Sequence, residues 1–207
     1  MANPIPLVGG NYYHVYNRGN NGETIFRNAE NYRYFMQVYT EHVEPAAVTH
    51  ALCLLPNHFH FMAYIRTNEE QAAWQRAQGC QPSEGWQPSP PHRAFKNLFI
   101  AYSLAFNLRY ERTGSLFQKP FKRILVDSER YYTALVRYIH RNPERHGLIA
   151  DFHNWPWSSY RAILSDRPTH LPRADVLARF GGRDSFIAAH QVAPDEQHIA
   201  SLIAGLE

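Results

Sequence analysis

The sequence predicts an α+β fold, an antiparallel sheet with its helices on one face, and three observations predict it. Four stretches of strand character lie within "NYYHVYNRG", "AVTHALCLLP", "HFHFMAYI" and "FKRILVD". Three longer stretches between or after them carry apolar residues at helical spacing. The middle two strands are separated only by Pro56-Asn57, which reads as a tight hairpin.

Each element has its own reason. The first strand ends on Gly19, Asn20, Asn21 and Gly22, a cluster of turn formers. The first helix, in "RNAENYRYFMQVYTEHV", places apolar or aromatic side chains at 32, 35, 36, 39 and 43. The hairpin strands follow and should pair antiparallel. Residues 66–91 are polar and, in their second half, punctuated by Pro and Gly, so they read as a loop insertion with a short helix around Trp74. "HRAFKNLFIAYSLAFNLRY" is helical, with apolar positions at 95, 98, 99, 102, 105 and 106. "GSLFQKPFKRILVD" gives a turn and the fourth strand, and Asp127 or Ser128 can cap the next helix, which Pro143 should stop. The order β-α-β-β-α-β-α is that of a split βαβ, a ferredoxin-like (RRM-like) sheet with helices segregated to one side. The expected organisation is a core domain over 1–165, containing the 66–91 insertion, and a helical extension over 166–207 built from "RADVLARFGG", "DSFIAAHQ" and "EQHIASLIAGL".

Composition narrows the function classes. The 207 residues are 44% hydrophobic and 14% aromatic, enough for a real core, and no run approaches the roughly 18 apolar residues of a membrane span. "MANPIPLVGGNYY" lacks a basic region followed by an apolar one, so a cytoplasmic protein is expected. Cys53 and Cys80 form neither a disulfide framework nor a CxxC site. Net charge is only +3, yet Arg109–Arg145 holds nine Lys or Arg against four Asp or Glu. Such a concentration suits a polyanion, since each phosphate contact releases counterions, although a solvated helix face looks the same in sequence.

"PNHFH" puts His58 and His60 two apart on a strand and therefore on one face. The pair can grip a metal, but twelve histidines would produce roughly 0.7 His-x-His pairs by chance, and two imidazoles satisfied by backbone or solvent remain a competing reading. On the last core helix Tyr138 and Asn142 lie four apart, on one face beside the stripe of Leu135 and Ile139. There they can touch the sheet and reach a substrate, though a tyrosine beside an apolar stripe is more often packing.

"PNHFH", "GSLFQKPFK" and "YIHRNPERHGL", with "YHVYNRG" before them and "WPWSSY" after, together resemble the single-tyrosine transposases of small bacterial insertion sequences and their REP-associated relatives, within the HUH endonuclease superfamily. The resemblance spans most of residues 12–160 in the family's order. It implies that His58 and His60 bind a divalent ion, Mg²⁺ or Mn²⁺, that Asn142 completes the metal site, and that Tyr138 attacks single-stranded DNA. Lys119, Lys122, Arg123, Arg130, Arg137, Arg141 and Arg145 would then guide the phosphate backbone, and Asn17 and Arg18 are candidates for contacting unpaired bases or a hairpin foot. The implied partner is single-stranded or hairpin DNA, with no membrane; a homodimer, and whether the tyrosine serves its own or a partner's metal site, are left open. The 66–91 segment is longer and richer in Pro than the family pattern.

The chemistry explains why these groups go together. A phenol is only about 0.1% ionised at neutral pH, so attack on a phosphodiester needs help. Two neutral imidazoles and an amide oxygen leave a cation's charge uncancelled and its remaining positions open to phosphate and water. A 5′-phosphotyrosine product would keep the ester bond for rejoining without a nucleotide cofactor. Two other readings stay open: a hairpin DNA- or RNA-binding protein that keeps the fold without catalysis, and a structural zinc held by His58, His60 and Cys53.

Overall fold

The computed structural model describes residues 5–83 and 85–192. The sheet has four strands, β1 (Tyr12–Arg18), β2 (Ala47–Leu55), β3 (His58–Ile65) and β4 (Lys122–Val126), in the order β2-β3-β1-β4 with every neighbouring pair antiparallel. The Pro56-Asn57 hairpin is present as expected, with Leu55 opposite His58. Gly19, just after β1, is held by crowding: a Cβ there would lie 2.1 Å from the Glu23 carbonyl oxygen.

Period-two alternation divides the sheet into two apolar faces. Tyr13 and Val15 of β1 and Phe59, Phe61 and Ala63 of β3 pack against α1 (Ala29–His42) and α3 (Pro91–Arg109), through Tyr32, Phe35, Tyr39, Phe95, Leu98 and Tyr102. This is the ferredoxin-like arrangement read from the sequence. Its second half, helices confined to one face, does not hold. Ala51, Cys53, Leu55, Met62 and Val126 form an apolar surface on the other face, and α4 (Glu129–Arg145) covers it with Tyr131, Tyr132, Leu135, Val136 and Ile139. Helical spacing shows that α4 has an apolar stripe without showing which side of the sheet receives it; the second set of apolar strand residues decides that.

Of two further elements, the first meets expectation, as a helix around Trp74, and the second departs from it. The polar segment after β3 begins with α2 (Asn68–Ala77), a ten-residue helix that contains Trp74 and opens on a capping box. Thr67 Oγ1 accepts from the Glu70 N–H, and Glu70 returns a carboxylate to the Thr67 N–H. Only the part after it is irregular. Helix α4, capped by Ser128 as one of the two expected residues, runs through Pro143 to Arg145. Proline there removes a single i→i−4 bond close to the helix end, and the His146 and Leu148 N–H groups still close on Asn142 and Pro143. That extra turn brings His146 to the site.

The chain after α4 packs on the same second core through α5 (Tyr160–Leu164), α6 (Arg173–Arg179) and α7 (Arg183–Gln191). The expected helix in "EQHIASLIAGL" lies outside the described residues. A buried hydrogen-bond chain ties α7 to α4 and β2. His190 Nδ1 faces the Phe186 carbonyl at 2.8 Å and must donate to it, so His190 Nε2 accepts. His140 Nδ1 then donates across 2.9 Å, and His140 Nε2 accepts from the Ser159 hydroxyl, which itself accepts from the Leu52 N–H. Among the described residues no helix is long and apolar enough to cross a membrane.

Neutral burial of histidine has a pH signature. Desolvation pushes His50 and His190 down to about 4 and holds His140 well below the ordinary imidazole value. Unfolded histidines protonate near pH 6.5, so the unfolded state binds more protons between about pH 4 and 6.5. The stabilisation is complete above that window and is lost as pH falls through it, by up to about 1.4 kcal/mol per pH unit for each histidine. Urea denaturation midpoints should therefore fall steadily from pH 7 to pH 5; equal midpoints at both would contradict neutral burial.

Candidate active site on the second sheet face

The pairing of β1 with β3 and β4 fixes which side chains meet under α4. Opposite residues share a face, so His14 and Tyr16 of β1, His58 and His60 of β3 and Lys122 of β4 stand together, with Arg18 directly across from His58. From above, α4 adds Tyr138, whose ring lies edge-on to His60 with centroids 5.5 Å apart, and Asn142 one turn further on. Past the helix end, the His146 ring is 4.8 Å from that of His58, and the Arg145 guanidinium lies 5.3 Å from the centre of the Tyr138 ring.

Each imidazole is oriented by its other nitrogen. His58 Nδ1 is 2.6 Å from Asn57 Oδ1, an acceptor, so Nδ1 carries the proton and Nε2 keeps a lone pair. His60 Nδ1 is 2.9 Å from His14 Nε2, a contact that fixes the ring and directs His60 Nε2 away from β1. Burial is the main reason both stay neutral. Desolvation, then the positive surroundings of His146 and Arg18, lowers His58 to about 3. The same cause, reinforced by His14, His58, His146 and Arg145, holds His60 well below its ordinary value. Neutral imidazoles with free lone pairs are what a cation needs.

Asn142 is the third feature. It is fully buried; its Nδ2 donates to the Tyr138 carbonyl at 2.9 Å, while its Oδ1 is buried with no hydrogen-bond partner. A carbonyl oxygen buried without a donor costs roughly 1–3 kcal/mol, so this one is available to a ligand. A small hollow of about 20 Å³, lined in part by His58, His60, Arg18 and Lys122, is sized for a water or an ion. His58 and His60 line this hollow and Asn142 does not, but two imidazoles and one amide oxygen are donors of the kind that suits a divalent cation with its other positions open. The zinc alternative fares worse. Cys53 lies opposite His60, but burial pushes its thiol well up, away from the thiolate that zinc takes, and among the described residues no group of three His, Cys, Asp or Glu is placed to hold an ion.

The basic residues separate into groups. Arg18, Lys122 and Arg145 surround the cluster, and exposed Lys119 stands in the loop leading to β4. Arg123 pairs with Val15 and so belongs to the opposite face. Arg130 is exposed in the first turn of α4, about 12 Å along the helix from Tyr138. Arg137 donates to the Val192 carbonyl, and Arg141 donates to the His190 carbonyl while pairing with Glu144, so both guanidinia bind the end of α7. Sequence reading passed over His14, Tyr16 and His146. Alternation from Val15 would have put His14 and Tyr16 on one face, and His146 becomes visible one turn beyond Asn142 once α4 is carried past Pro143.

The fold and site define a class: a ferredoxin-like domain in which a His-x-His strand faces a tyrosine-bearing helix. No family model matches the chain. Over 112 residues it is 25% identical to a protein of Haemophilus influenzae assigned as a REP-associated tyrosine transposase, covering 54% of this chain and 58% of that relative's length. It also shares its fold with a solved REP-associated tyrosine transposase bound to a REP hairpin, at a TM-score of 0.55 and 16% identity, over 81% of this chain and 88% of that one. The sequence relative and the structural relative are thus of one kind, both REP-associated tyrosine transposases, and the chain spans less than two thirds of the first one's length.

The buried pair gives a spectroscopic expectation. Desolvation lowers His14 to about 3 and His60 further below its ordinary value. Nitrogen-15 spectra of the imidazoles should show both rings neutral at pH 5.5, where a free histidine is mostly protonated. Protonated rings there would mean that the cluster is open to water.

Proposed function

We propose that the protein is a DNA nicking and joining enzyme, in which Tyr138 attacks single-stranded or hairpin DNA with Mg²⁺ or Mn²⁺ held by His58, His60 and Asn142. The observation that carries this reading is the opposition of Tyr138 and the orphaned Asn142 oxygen to two neutral, oriented imidazoles on a central strand. That one similar protein is a transposase bound to a REP hairpin supports hairpin DNA as the partner.

The Tyr138 oxygen attacks phosphorus and the bond from phosphorus to the 3′ oxygen breaks. The phenolic proton passes to solvent, the departing oxygen takes a proton to become a 3′-hydroxyl, and the 5′ side stays on the enzyme as a phosphotyrosine. Attack by another strand's 3′-hydroxyl reverses the step and releases Tyr138. A bound divalent cation would offset charge on the phosphate's non-bridging oxygens. The chain's own residues do the rest. Asn57 and His14 hold His58 and His60 in place, Arg145 packs over the Tyr138 ring, and Arg18 and Lys122 hold backbone phosphates on the sheet face.

One observation favours a second reading. Tyr138 is only 3% exposed, so a phosphate reaches it only after a local shift. A protein that binds hairpins without cutting them would never need that shift.

Incubated with hairpin DNA and Mn²⁺, the protein should form a denaturant-stable covalent adduct, and Tyr138→Phe should reduce it to background with folding intact. An adduct of parental yield in Tyr138→Phe would reject the nucleophile, and tight binding with no adduct across many hairpins would favour the second reading. Replacing His60 or Asn142 by Ala should weaken Mn²⁺ binding, read by calorimetry, at least about tenfold. Unchanged affinity in both would remove them from the metal site.

A further inference from the structure

A second concavity, separate from the tyrosine and histidines, lies between α3 and the loop leading into β4. It is a cleft of about 580 Å³, within the range that takes small ligands. One side is aromatic: Phe99 and Phe121 are half-buried, with ring centroids 5.3 Å apart, and Phe117 packs behind them at 5.2 Å from Phe99. The other side is aliphatic and open, since Ile100 and Leu104 of α3 are 47% and 66% exposed. The core does not account for these two. Lys96, Lys119 and Arg123 stand around the cleft, and among the described residues no Asp or Glu lines it. The Arg123 guanidinium lies 4.7 Å from the centre of the Phe121 ring.

Position links this cleft to the chemistry. Asn17 and Gln118 line both the cleft and the hollow beside His58 and His60, so the two share an edge at the end of β1. Asn17 is locked there: its Nδ2 donates to the Gln118 carbonyl at 3.2 Å and its Oδ1 accepts from the Arg18 N–H at 2.9 Å. A strand whose phosphate lies on the histidine side passes the mouth of the cleft with its neighbouring nucleotide.

We infer that this cleft receives one unpaired nucleobase of the DNA strand that Tyr138 attacks, the identity of that strand resting on the function proposed above. An aromatic wall accepts the face of any base, and Lys96 and Lys119 pair with the phosphates on either side of it, while Arg123 is held by the Ile5 carbonyl and the Phe121 ring. The absence of carboxylates removes the repulsion that would turn a polyanion away. A second copy of the chain fits the same surface poorly, because a two-fold contact would set Lys96, Lys119 and Arg123 against their own counterparts.

The test uses the full chain carrying Tyr138→Phe in EDTA, so that neither cleavage nor metal contributes. Fluorescence anisotropy would compare a DNA hairpin bearing a single-stranded flank, a blunt hairpin, and flanked hairpins with an abasic residue at successive flank positions. Adding Ile100→Asp or Leu104→Asp, both at exposed positions, should weaken flanked-hairpin binding about tenfold and leave blunt-hairpin binding unchanged. One abasic position should cost a similar factor in the parent and nothing more in either Asp variant. The inference is overturned if the Asp variants bind the flanked hairpin like the parent, or if the abasic cost is the same size in all three. It is equally overturned if the parent sediments as a dimer that Ile100→Asp dissociates. A base-dependent cleft in a protein whose Tyr138 form yields no adduct would uphold this site and reject the nicking reading, whereas adduct formation with a flat abasic scan would do the reverse.

Discussion

Everything at the site depends on the register of β1 against β3. Val15 faces Phe61 and His14 faces Met62, so one alternation sends aromatic residues beneath α1 and α3 and sends imidazoles beneath α4. A slip of one residue would reverse both sets, burying His58 and His60 against Phe35 and Tyr39 and presenting phenylalanines to the tyrosine helix. The first core, with Phe35, Phe59 and Phe61 fully buried, makes that slip prohibitive. Hydrophobic packing on one face therefore fixes the chemistry on the other.

Helix α4 serves both purposes along its length. Its first half closes the second core with Tyr131, Tyr132, Leu135 and Val136, and its last turns deliver Tyr138, Asn142 and Arg145 to the sheet. Asn142 Oδ1 and His14 Nδ1 are buried without partners within a molecule whose other buried histidines are bonded. A fold tolerates such costs where a ligand or a reaction recovers them.

Histidines of one chain are here used in two ways. His140 and His190 are bonded through both ring nitrogens, a closed chain from the Phe186 carbonyl to the Leu52 N–H that fastens the C-terminal helices. His58 and His60 each have one nitrogen held by a neighbour, which leaves the other for a ligand. Arg137 and Arg141 belong with the first pair, since their guanidinia hold the end of α7.

The sequence by itself determined the four strands, the Pro56-Asn57 hairpin, the main helices and the facing of His58 with His60, because alternation, helical spacing and turn residues are local properties. It also made Tyr138 and Asn142 neighbours, since four residues are about one helical turn. Which face of the sheet α4 covers depended on a second apolar surface assembled from three strands, and that surface exists only once β1 has joined β4 to the β2-β3 hairpin. The continuation of α4 through Pro143 was hidden because a proline's lost bond matters little two residues from a helix end. The partnership of His14 with His60 joins residues 46 apart, and the shared edge between the aromatic cleft and the histidine hollow joins β1 to a loop a hundred residues later. Such contacts follow from sheet order and register, which no local pattern carries.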